Sequence, residues 1–327
     1  MTWYESVSKV AGEFTRRPIL FRYTARMEIR EHVSLAELTT FQIGGTARYF
    51  VEVADEAEIR DALGWAREKD VPFFVIAGGS NLLIPDTSLD GLVIRIVGEK
   101  YDISENTLSA SAGCNLLELI KATGEQGLGG WEKLAGIPGT IGGAVRGNAG
   151  AFGPEIKDFV TWVRAINTKT EDVHEFSNAE CDFDYRMSFF KKKPEWIILD
   201  VRLMLEAANS AIIDETIKER EKRHIQNVKA AGSFFMNPVA PQTVVNMFEN
   251  EKGTKSREGR VPAGWLIEKA GLKGMKLGGA QVSPQQANYI INADNATAEE
   301  VRELAAKVKE EVRRQFDVAL TEEAVVM

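Results

Sequence analysis

The sequence predicts a mixed fold of helices and strands with more than one domain. Three observations support this: a length of 327 residues, an early strand–helix–strand succession, and two glycine-rich stretches that each follow a predicted strand. A typical domain has about 100–150 residues, so the chain has room for two or three domains. The hydrophobic fraction of 44% and the charged fraction of 27% are ordinary for a soluble globular protein.

The first predicted unit is a β-α-β succession. Residues 47–54 (ARYFVEVA) alternate in the manner of a strand. Residues 55–70 follow as a helix, with Asp55 placed as its N-cap and Glu58 three residues on. Residues 71–79 (VPFFVIAGG) form a continuous apolar run that ends in glycines, which predicts a fully buried strand.

The rest of the chain continues the mixed pattern. Helix 297–316 has the clearest signal, because Thr297 and Glu300 form a capping box before an apolar stripe. Short strands are predicted at 91–97, 107–113, 159–168, 195–205 and 317–320 (DVAL), helices at 115–127 and in 261–274, and a charged, helix-prone crossing between domains at 206–228.

Composition excludes several classes of function. The net charge is −8 and basic residues are scattered, so nucleic acid is not an expected partner. No apolar stretch reaches the roughly 18 residues that span a bilayer, and the N-terminus lacks the apolar core of a secretory signal. The two cysteines are isolated, which predicts no metal site and suits a reducing compartment. We therefore expect a cytoplasmic enzyme or binding protein that works without a membrane.

Two glycine-rich stretches are the strongest candidates for a ligand site. In AGGSNLL (77–83), Gly78 and Gly79 permit a sharp turn whose consecutive N–H groups form an anion cradle, although a plain turn is an equal alternative. In the second stretch, 136–153, seven of eighteen residues are glycine, and Pro138 suits the first turn of a helix whose N-terminus meets a pyrophosphate. Neither stretch has the GxGxxG or GxxxxGK[ST] spacing. Together they predict one dinucleotide held between two lobes.

Three polar residues admit both a structural and a chemical interpretation. Arg186 lies among aromatic residues, where it forms either a structural ion pair or a carboxylate-binding fork. Ser233, in AGSFFMNP (231–238), is either a turn residue or a proton donor; a nucleophilic role is disfavoured because no GxSxG elbow occurs. Glu323 lies near the C-terminus, where most glutamates are solvated. The residues alone leave these alternatives open.

Taken in order, the motifs strongly resemble the UDP-N-acetylenolpyruvoylglucosamine reductase family over roughly residues 29–327. They are TTFQIGG, AGGSNLL, GIPGTIGGAVRGNAGAFG, YRMSFFK, AGSFFMNP, AGWLIEKAGLKG, GGAQVSPQQANYIIN and a terminal glutamate. The resemblance implies a two-lobed FAD-binding fold of the vanillyl-alcohol-oxidase type with a C-terminal α/β substrate domain. It divides the chain into an extension (1–28), two FAD-binding subdomains (29–98 and 99–206) and a substrate-binding domain (207–327).

The implied reaction uses non-covalently held FAD, with NADPH as co-substrate. Hydride passes from flavin N5 to C3 of the enolpyruvyl ether of UDP-N-acetylglucosamine, and a proton is added at C2 to give UDP-N-acetylmuramate for peptidoglycan. The expected partner is this UDP-sugar, and the chain is expected to act as a monomer.

The resemblance also implies roles for individual residues. Arg186 and Glu323 stabilise the aci-carboxylate intermediate, and Ser233 donates the proton. The residues implied to bind the cofactor lie in the two glycine stretches, and those implied to bind the substrate lie further along. The cofactor residues are Gly78, Gly79, Ser80, Asn81, Leu82, Gly136, Ile137, Pro138, Gly139, Thr140, Gly142 and Gly143; the substrate residues are Tyr185, Arg186, Arg223, Asn237 and Gln286.

This sequence departs from the family pattern at several positions. Met236 stands where the family usually has lysine, Arg223 aligns with another family lysine, and Val325 replaces an arginine. No tyrosine occurs between Arg186 and Ser233, so the chain resembles the short-loop branch and is expected to lack a tyrosine lid. Two rivals remain: another FAD oxidoreductase of the same fold, such as a lactone or hydroxyacid oxidase, and a non-catalytic nucleotide-binding relative.

Overall fold

The computed structural model describes residues 27–208, 211–223 and 228–327. All but the last two residues of the predicted N-terminal extension, 1–28, lie outside the described residues. Within the described part of the chain, no helix is long and apolar enough to cross a membrane.

The first part of the chain forms a four-stranded sheet with one helix. Asp55 caps that helix, and its side chain accepts a hydrogen bond from the N–H of Glu58, as the sequence predicts. The elements are β1 (Arg30–Ser34), β2 (Thr46–Val53), α1 (Glu56–Glu68), β3 (Phe73–Ile76), β4 (Leu82–Leu83) and β5 (Leu89–Ile96). The sheet order is β1-β2-β5-β3, and β5 runs parallel to both β2 and β3. The predicted β-α-β unit is therefore present.

The predicted burial of β3 is wrong. Only Ile76 of this strand is buried, while Val75 is 37% exposed. The physical reason is position, because β3 is an edge strand of its sheet and Phe73, Val75 and Ile76 line a cleft. An apolar run that faces a cleft has the same sequence pattern as one that is covered on both faces.

The second part is built on a five-stranded antiparallel sheet. Its elements are β6 (Tyr101–Ser104), β7 (Thr107–Ser111), α2 (Leu116–Glu125), β8 (Leu128–Gly129), α3 (Ile141–Gly147), β9 (Val160–Asn167), β10 (Val173–Ser177), α4 (Phe189–Lys192), β11 (Trp196–Met204) and β12 (Glu206–Ala207). The sheet order is β10-β9-β11-β7-β6, and β12 pairs with β8 separately. One apolar core joins this sheet to α1 and β2, with Trp131 fully buried inside it. The first two parts therefore share a core.

The third part has a core of its own, centred on the longest helix. Helix α5 (Ala211–Arg223) precedes this part and packs against α2, with Ile213 buried in the core of the first two parts. The elements of the third part are α6 (Gln242–Lys252), α7 (Ala263–Lys269), β13 (Lys276–Leu277), β14 (Ala280–Val282), β15 (Ile290–Asn292), α8 (Ala298–Phe316) and β16 (Val325–Val326). The predicted capping box of Thr297 and Glu300 starts α8, and its predicted apolar stripe is buried. The order of the small antiparallel sheet is β13-β14-β15.

The chain after α8 differs from the prediction. Residues 317–320, predicted as a strand, form none, because Asp317 ends α8 in a left-handed conformation with φ 54°. Val318 and Leu320 instead insert into the third core. The last strand, β16, pairs in parallel with β4, so that Val325 lies opposite Leu82. This pairing brings the C-terminus to the first glycine-rich loop.

Candidate active site

A cleft of about 720 Å³ lies where the three parts of the chain meet. Its volume is within the range of roughly 300–1,000 Å³ that is typical of ligand pockets. All three parts contribute to its wall: loop 78–82 from the first, loop 137–140 from the second, and Ser233, Asn237 and Glu323 from the third.

The two glycine-rich loops contact each other across the cleft. A Cβ atom on Gly78 would lie 2.8 Å from Cα of Gly139, so a side chain there would push the loops apart. The Ser80 hydroxyl donates a hydrogen bond of 2.9 Å to the carbonyl oxygen of Pro138. Gly79 has φ +65°, and a Cβ atom on it would lie 1.9 Å from the carbonyl oxygen of Leu38. These glycines therefore permit the loops to approach each other.

The backbone donors available for an anion lie in these loops. Among the described residues, no acceptor faces the N–H groups of Gly79, Ser80 and Asn81, or those of Gly139 and Thr140. Consecutive unpaired N–H groups in a turn bind phosphate oxygens well. The two loops thus fit the diphosphate of a dinucleotide.

The predicted place of Pro138 in the first turn of a helix is wrong. Helix α3 begins after its N-cap Thr140, two residues beyond Pro138, so the proline is outside the first turn. The N–H groups of Ile141 and Gly142 each donate at 2.9 Å to carbonyl oxygens of residues 112–114, and Gly143 donates to the Thr140 hydroxyl. The first-turn N–H groups of α3 are therefore paired with protein acceptors, and the donors that remain for a phosphate among the described residues are those of Gly139 and Thr140 just before the helix.

Arg186 and Glu323 form an ion pair in the cleft wall. Arg186 Nε donates to Glu323 Oε1 at 2.7 Å, and each side chain is 21% exposed. The guanidinium also donates from Nη2 to the carbonyl oxygen of Gly150 at 2.8 Å and from Nη1 to that of Asn148 at 3.5 Å. Of the five N–H groups of Arg186, three are therefore directed at protein acceptors and two remain for a ligand.

Burial shifts the pKa of the Glu323 carboxyl. Its pKa is raised from the ordinary value of 4.5 because removal from water disfavours the carboxylate, although the Arg186 guanidinium partly opposes this rise. The backbone on either side is fixed: the Glu323 N–H donates to the carbonyl oxygen of Phe234 at 2.8 Å, and the Asn81 side-chain amide donates to the carbonyl oxygen of Glu323 at 3.1 Å. The carboxylate is thus held between the first glycine-rich loop and the Ser233 segment.

Ser233 lies in the cleft wall directly before two buried aromatic residues. Phe234 and Phe235 are each 1% exposed, with ring centroids 5.2 Å apart. Asn288 holds the segment, since it donates to the carbonyl oxygen of Phe235 at 2.9 Å and accepts from its N–H at 3.1 Å. Among the described residues, no hydrogen-bond partner is found for the Ser233 hydroxyl, so it is free to act on a ligand in the cleft.

Tyr185 and Asn237 meet at the edge of the same cleft. The Asn237 N–H donates to the Tyr185 hydroxyl at 3.3 Å, and Asn237 Oδ1 accepts from the N–H of Ala263 at the start of α7. The Arg260 guanidinium lies 4.4 Å from the centroid of the Tyr185 ring. The side chain of Met236 does not reach the cleft, and nothing in the structure explains why lysine is absent there.

Three predicted site residues are not placed in the cleft. Gly136 and Gln286 do not line it. The Gln286 N–H instead donates to the Ser283 hydroxyl within a turn, and the cleft residue of that segment is Asn288, two positions later. Arg223 ends helix α5, and its side chain lies outside the described residues.

Among the cleft residues that sequence reasoning missed are Arg146, Lys191 and Asn288. A signal for Arg146 was present, because it is the only charged residue in the glycine-rich stretch 136–153. Lys191 ends the quoted motif YRMSFFK. No local pattern marks Asn288, since its role depends on contacts with residues more than fifty positions away.

Comparison with known proteins agrees with this geometry. Residues 47–177 match a family model described as an FAD binding domain, and residues 223–327 match the C-terminal domain of UDP-N-acetylenolpyruvoylglucosamine reductase. The reductase of that name from Solibacter usitatus is 37% identical over 301 residues, which cover 88% of this chain and 93% of the relative. The one from Pseudomonas aeruginosa is 36% identical over 334 residues, with coverages of 91% and 98%.

A solved structure extends the similarity to three dimensions. The UDP-N-acetylenolpyruvylglucosamine reductase from Thermus caldophilus superposes with a TM-score of 0.71 at 30% sequence identity, covering 92% of this chain and 99% of that one. The two glycine-rich loops, the Arg186–Glu323 pair and Ser233 converge on one cleft in this chain. The chain belongs to the UDP-N-acetylenolpyruvoylglucosamine reductase family.

Proposed function

We propose that this protein reduces the enolpyruvyl ether of UDP-N-acetylglucosamine to UDP-N-acetylmuramate, with NADPH as hydride source, in peptidoglycan precursor synthesis. Family membership and the FAD-binding domain make the chain a flavoprotein oxidoreductase. The proposed substrate and reaction rest on one observation. Arg186, Ser233 and Glu323 are distant in sequence, yet they line one cleft beside the two glycine-rich loops.

The residues present fit FAD. The free N–H groups of Gly79, Ser80, Asn81, Gly139 and Thr140 form a donor set for its diphosphate. Bound FAD supplies hydride transfer between the nicotinamide and the enolpyruvyl carbon C3. None of the described histidines and neither cysteine lines the cleft, which supports cofactor binding without a covalent bond.

In this proposal Ser233 is the proton donor to C2. Hydride addition at C3 moves negative charge onto the substrate carboxylate and makes C2 strongly basic. A serine hydroxyl is a weak acid, but it can transfer a proton to so basic a carbon. A nucleophilic serine would require a positioned histidine, and no described histidine lines this cleft.

Arg186 and Glu323 stabilise the charge that develops on the substrate carboxylate. The ion pair and the carbonyl oxygens of Asn148 and Gly150 fix the guanidinium before substrate arrives. Preorganised donors of this kind act most strongly where water is excluded. The two N–H groups of Arg186 that remain unpaired are available to a ligand carboxylate, and Glu323 balances the arginine charge in the resting site.

The test is to purify the protein, record flavin absorbance, and follow NADPH oxidation with and without the enolpyruvyl UDP-sugar. We expect a yellow protein whose steady-state oxidation of NADPH depends on that substrate. A colourless protein, or flavin reoxidation indifferent to the substrate, would reject the function. Acid precipitation should release the flavin into solution; yellow colour retained on the precipitate would favour an oxidase with covalent FAD.

The remaining expectations about partners stay predictions. The proposed ligand is a UDP-sugar, and nothing in the acidic composition favours nucleic acid. The same holds for a monomeric state, a cytoplasmic location, a preference for NADPH over NADH and the lack of a tyrosine lid.

A further inference from the structure

The cleft has a surplus of positive charge. Four charged residues of the described chain line it: the cations Arg146, Arg186 and Lys191 and the anion Glu323. Three cations minus one anion give +2, in a chain whose net charge is −8. A concave site with this local excess attracts and orients anionic groups.

Arg186 by itself does not supply all the hydrogen-bond donors and positive charge that an anionic ligand would need. Its Nε and both of its Nη atoms already donate to protein acceptors. A ligand carboxylate bound to Arg186 would also lie beside the carboxylate of Glu323. Two carboxylates that share one arginine repel each other, so a second cation is required to hold a ligand carboxylate there.

Arg146 adds donors to the two that Arg186 has left for a ligand. Among the described residues, no hydrogen-bond or ion-pair partner is found for its guanidinium, although burial lowers its pKa from the ordinary value. Its backbone is held in place, because the Ser188 hydroxyl donates to the Arg146 carbonyl oxygen at 2.7 Å. A partly buried guanidinium without an acceptor is unfavourable unless a ligand supplies one. Its planar fork matches a carboxylate in bidentate geometry.

Lys191 connects this arginine to the catalytic pair. Its Nζ donates to the carbonyl oxygen of Arg186 at 3.1 Å. It lies on α4, which contacts α3, the helix that carries Arg146. The charges of Glu323, Arg146 and Arg186 all act on its pKa, which burial lowers overall. Lys191 is therefore within electrostatic reach of both arginines.

We propose that Arg146, with Lys191 beside it, binds the carboxylate of the enolpyruvyl group together with Arg186. Arg146 is then a further substrate-binding residue, and it places the carboxylate where Arg186 and Ser233 act on the adjacent carbon. The inference rests on the proposed function, and it adds a residue that none of the sequence motifs assigns to the substrate.

The experiment compares two UDP-sugars that differ in the 3-O-lactyl group, which bears the carboxylate. UDP-N-acetylmuramate carries the carboxylate and UDP-N-acetylglucosamine lacks it. Binding of each to the oxidised holoenzyme is measured by calorimetry for wild type, Arg146→Gln and Arg146→Lys, with Arg302→Gln as a control on the exposed face of α8. FAD content and melting temperature establish that each variant is folded and loaded.

We expect Arg146→Gln to raise the Kd of UDP-N-acetylmuramate by about 10- to 100-fold, since charge-assisted hydrogen bonds of this kind are lost. The Kd of UDP-N-acetylglucosamine should not change. Arg146→Lys should give a smaller loss, because it retains the charge without the fork. Arg302→Gln should match wild type with both ligands.

Other outcomes overturn the inference and identify the alternative. An equal loss for both UDP-sugars would assign Arg146 to the diphosphate. Slower flavin reduction by NADPH with an unchanged Kd for UDP-N-acetylmuramate would assign it to a phosphate of the nicotinamide nucleotide. If wild-type protein bound neither UDP-sugar, the proposed function itself would fail, and this result is distinguishable because it does not depend on Arg146.

Discussion

Replacement of Ser233 by alanine separates the two halves of the proposed reaction. The Ser233 hydroxyl has no hydrogen-bond partner among the described residues, so its removal should change the free energy of unfolding by less than about 0.5 kcal/mol. The adjacent Phe234 and Phe235 hold the segment without it. Loss of a general acid typically slows the assisted step by about 10²- to 10⁴-fold. That loss should fall entirely on the reduction of the enolpyruvyl substrate.

The assay is anaerobic stopped-flow absorbance of the flavin. Reduction by NADPH should proceed at nearly the wild-type rate, and reoxidation by the enolpyruvyl UDP-sugar should show the whole loss. Ser80→Ala is the matched control, because the Ser80 hydroxyl joins the two glycine-rich loops at Pro138. We expect it to weaken FAD retention and leave the ratio of the two half-reactions unchanged. Equal losses in both half-reactions of Ser233→Ala would refute the proton-donor role.

Four further predictions follow from the geometry. Gly79→Ala should yield misfolded or FAD-free protein on purification, because a Cβ atom there meets the Leu38 carbonyl oxygen in addition to the about 1–2 kcal/mol cost of a left-handed backbone. Asn288→Ala should lower the free energy of unfolding by about 1–3 kcal/mol in urea titrations, because buried groups of Phe235 lose their partner; a smaller change would mean that water replaces the amide. Glu323→Gln should have a higher melting temperature than wild type at pH values above the raised pKa of Glu323, and the difference should vanish below pH 4.5. Between these two pH values the folded wild type binds more protons than the unfolded chain, so its stability is lost as pH rises through that range. A constant difference across pH would contradict this. Burial raises the pKa of Cys181 to about 12, so iodoacetamide should leave it unmodified in the native protein at mildly alkaline pH, and rapid labelling would show that the thiol is accessible.

Local signals explain why most elements were predictable. Asp55 and the Thr297–Glu300 box satisfy N–H groups within three residues of themselves, so their effect is visible in a short window of sequence. The strand prediction for residues 317–320 was wrong for the opposite reason, because the structure of this segment depends on contacts far away in the sequence. Their alternation arises because Val318 and Leu320 insert into a core, and no strand of the described part of the chain pairs with them.

The glycine-rich stretches were correctly predicted to allow a close approach of the backbone, but the sequence did not show which part of the protein or which ligand the backbone would approach. Gly78 approaches Gly139 of the other loop, a contact between residues sixty-one positions apart. The donors of α3 were equally undetermined, since their acceptors lie in residues 112–114 and in Thr140. A run of glycines indicates that side chains would clash there, but only the tertiary structure shows which residues they would clash with.

The sequence by itself determined the family and the mixed fold, because each motif is a short run of characteristic residue types, and the resemblance drew attention to Arg186, Ser233 and Glu323 as candidate site residues. Only the tertiary structure decided which donors are free. The parallel pairing of β16 with β4 places Glu323 against Arg186, and that ion pair occupies part of the guanidinium. Arg146 became recognisable as a cation without a partner among the described residues because pairing depends on distance in space, which spacing along the chain does not record.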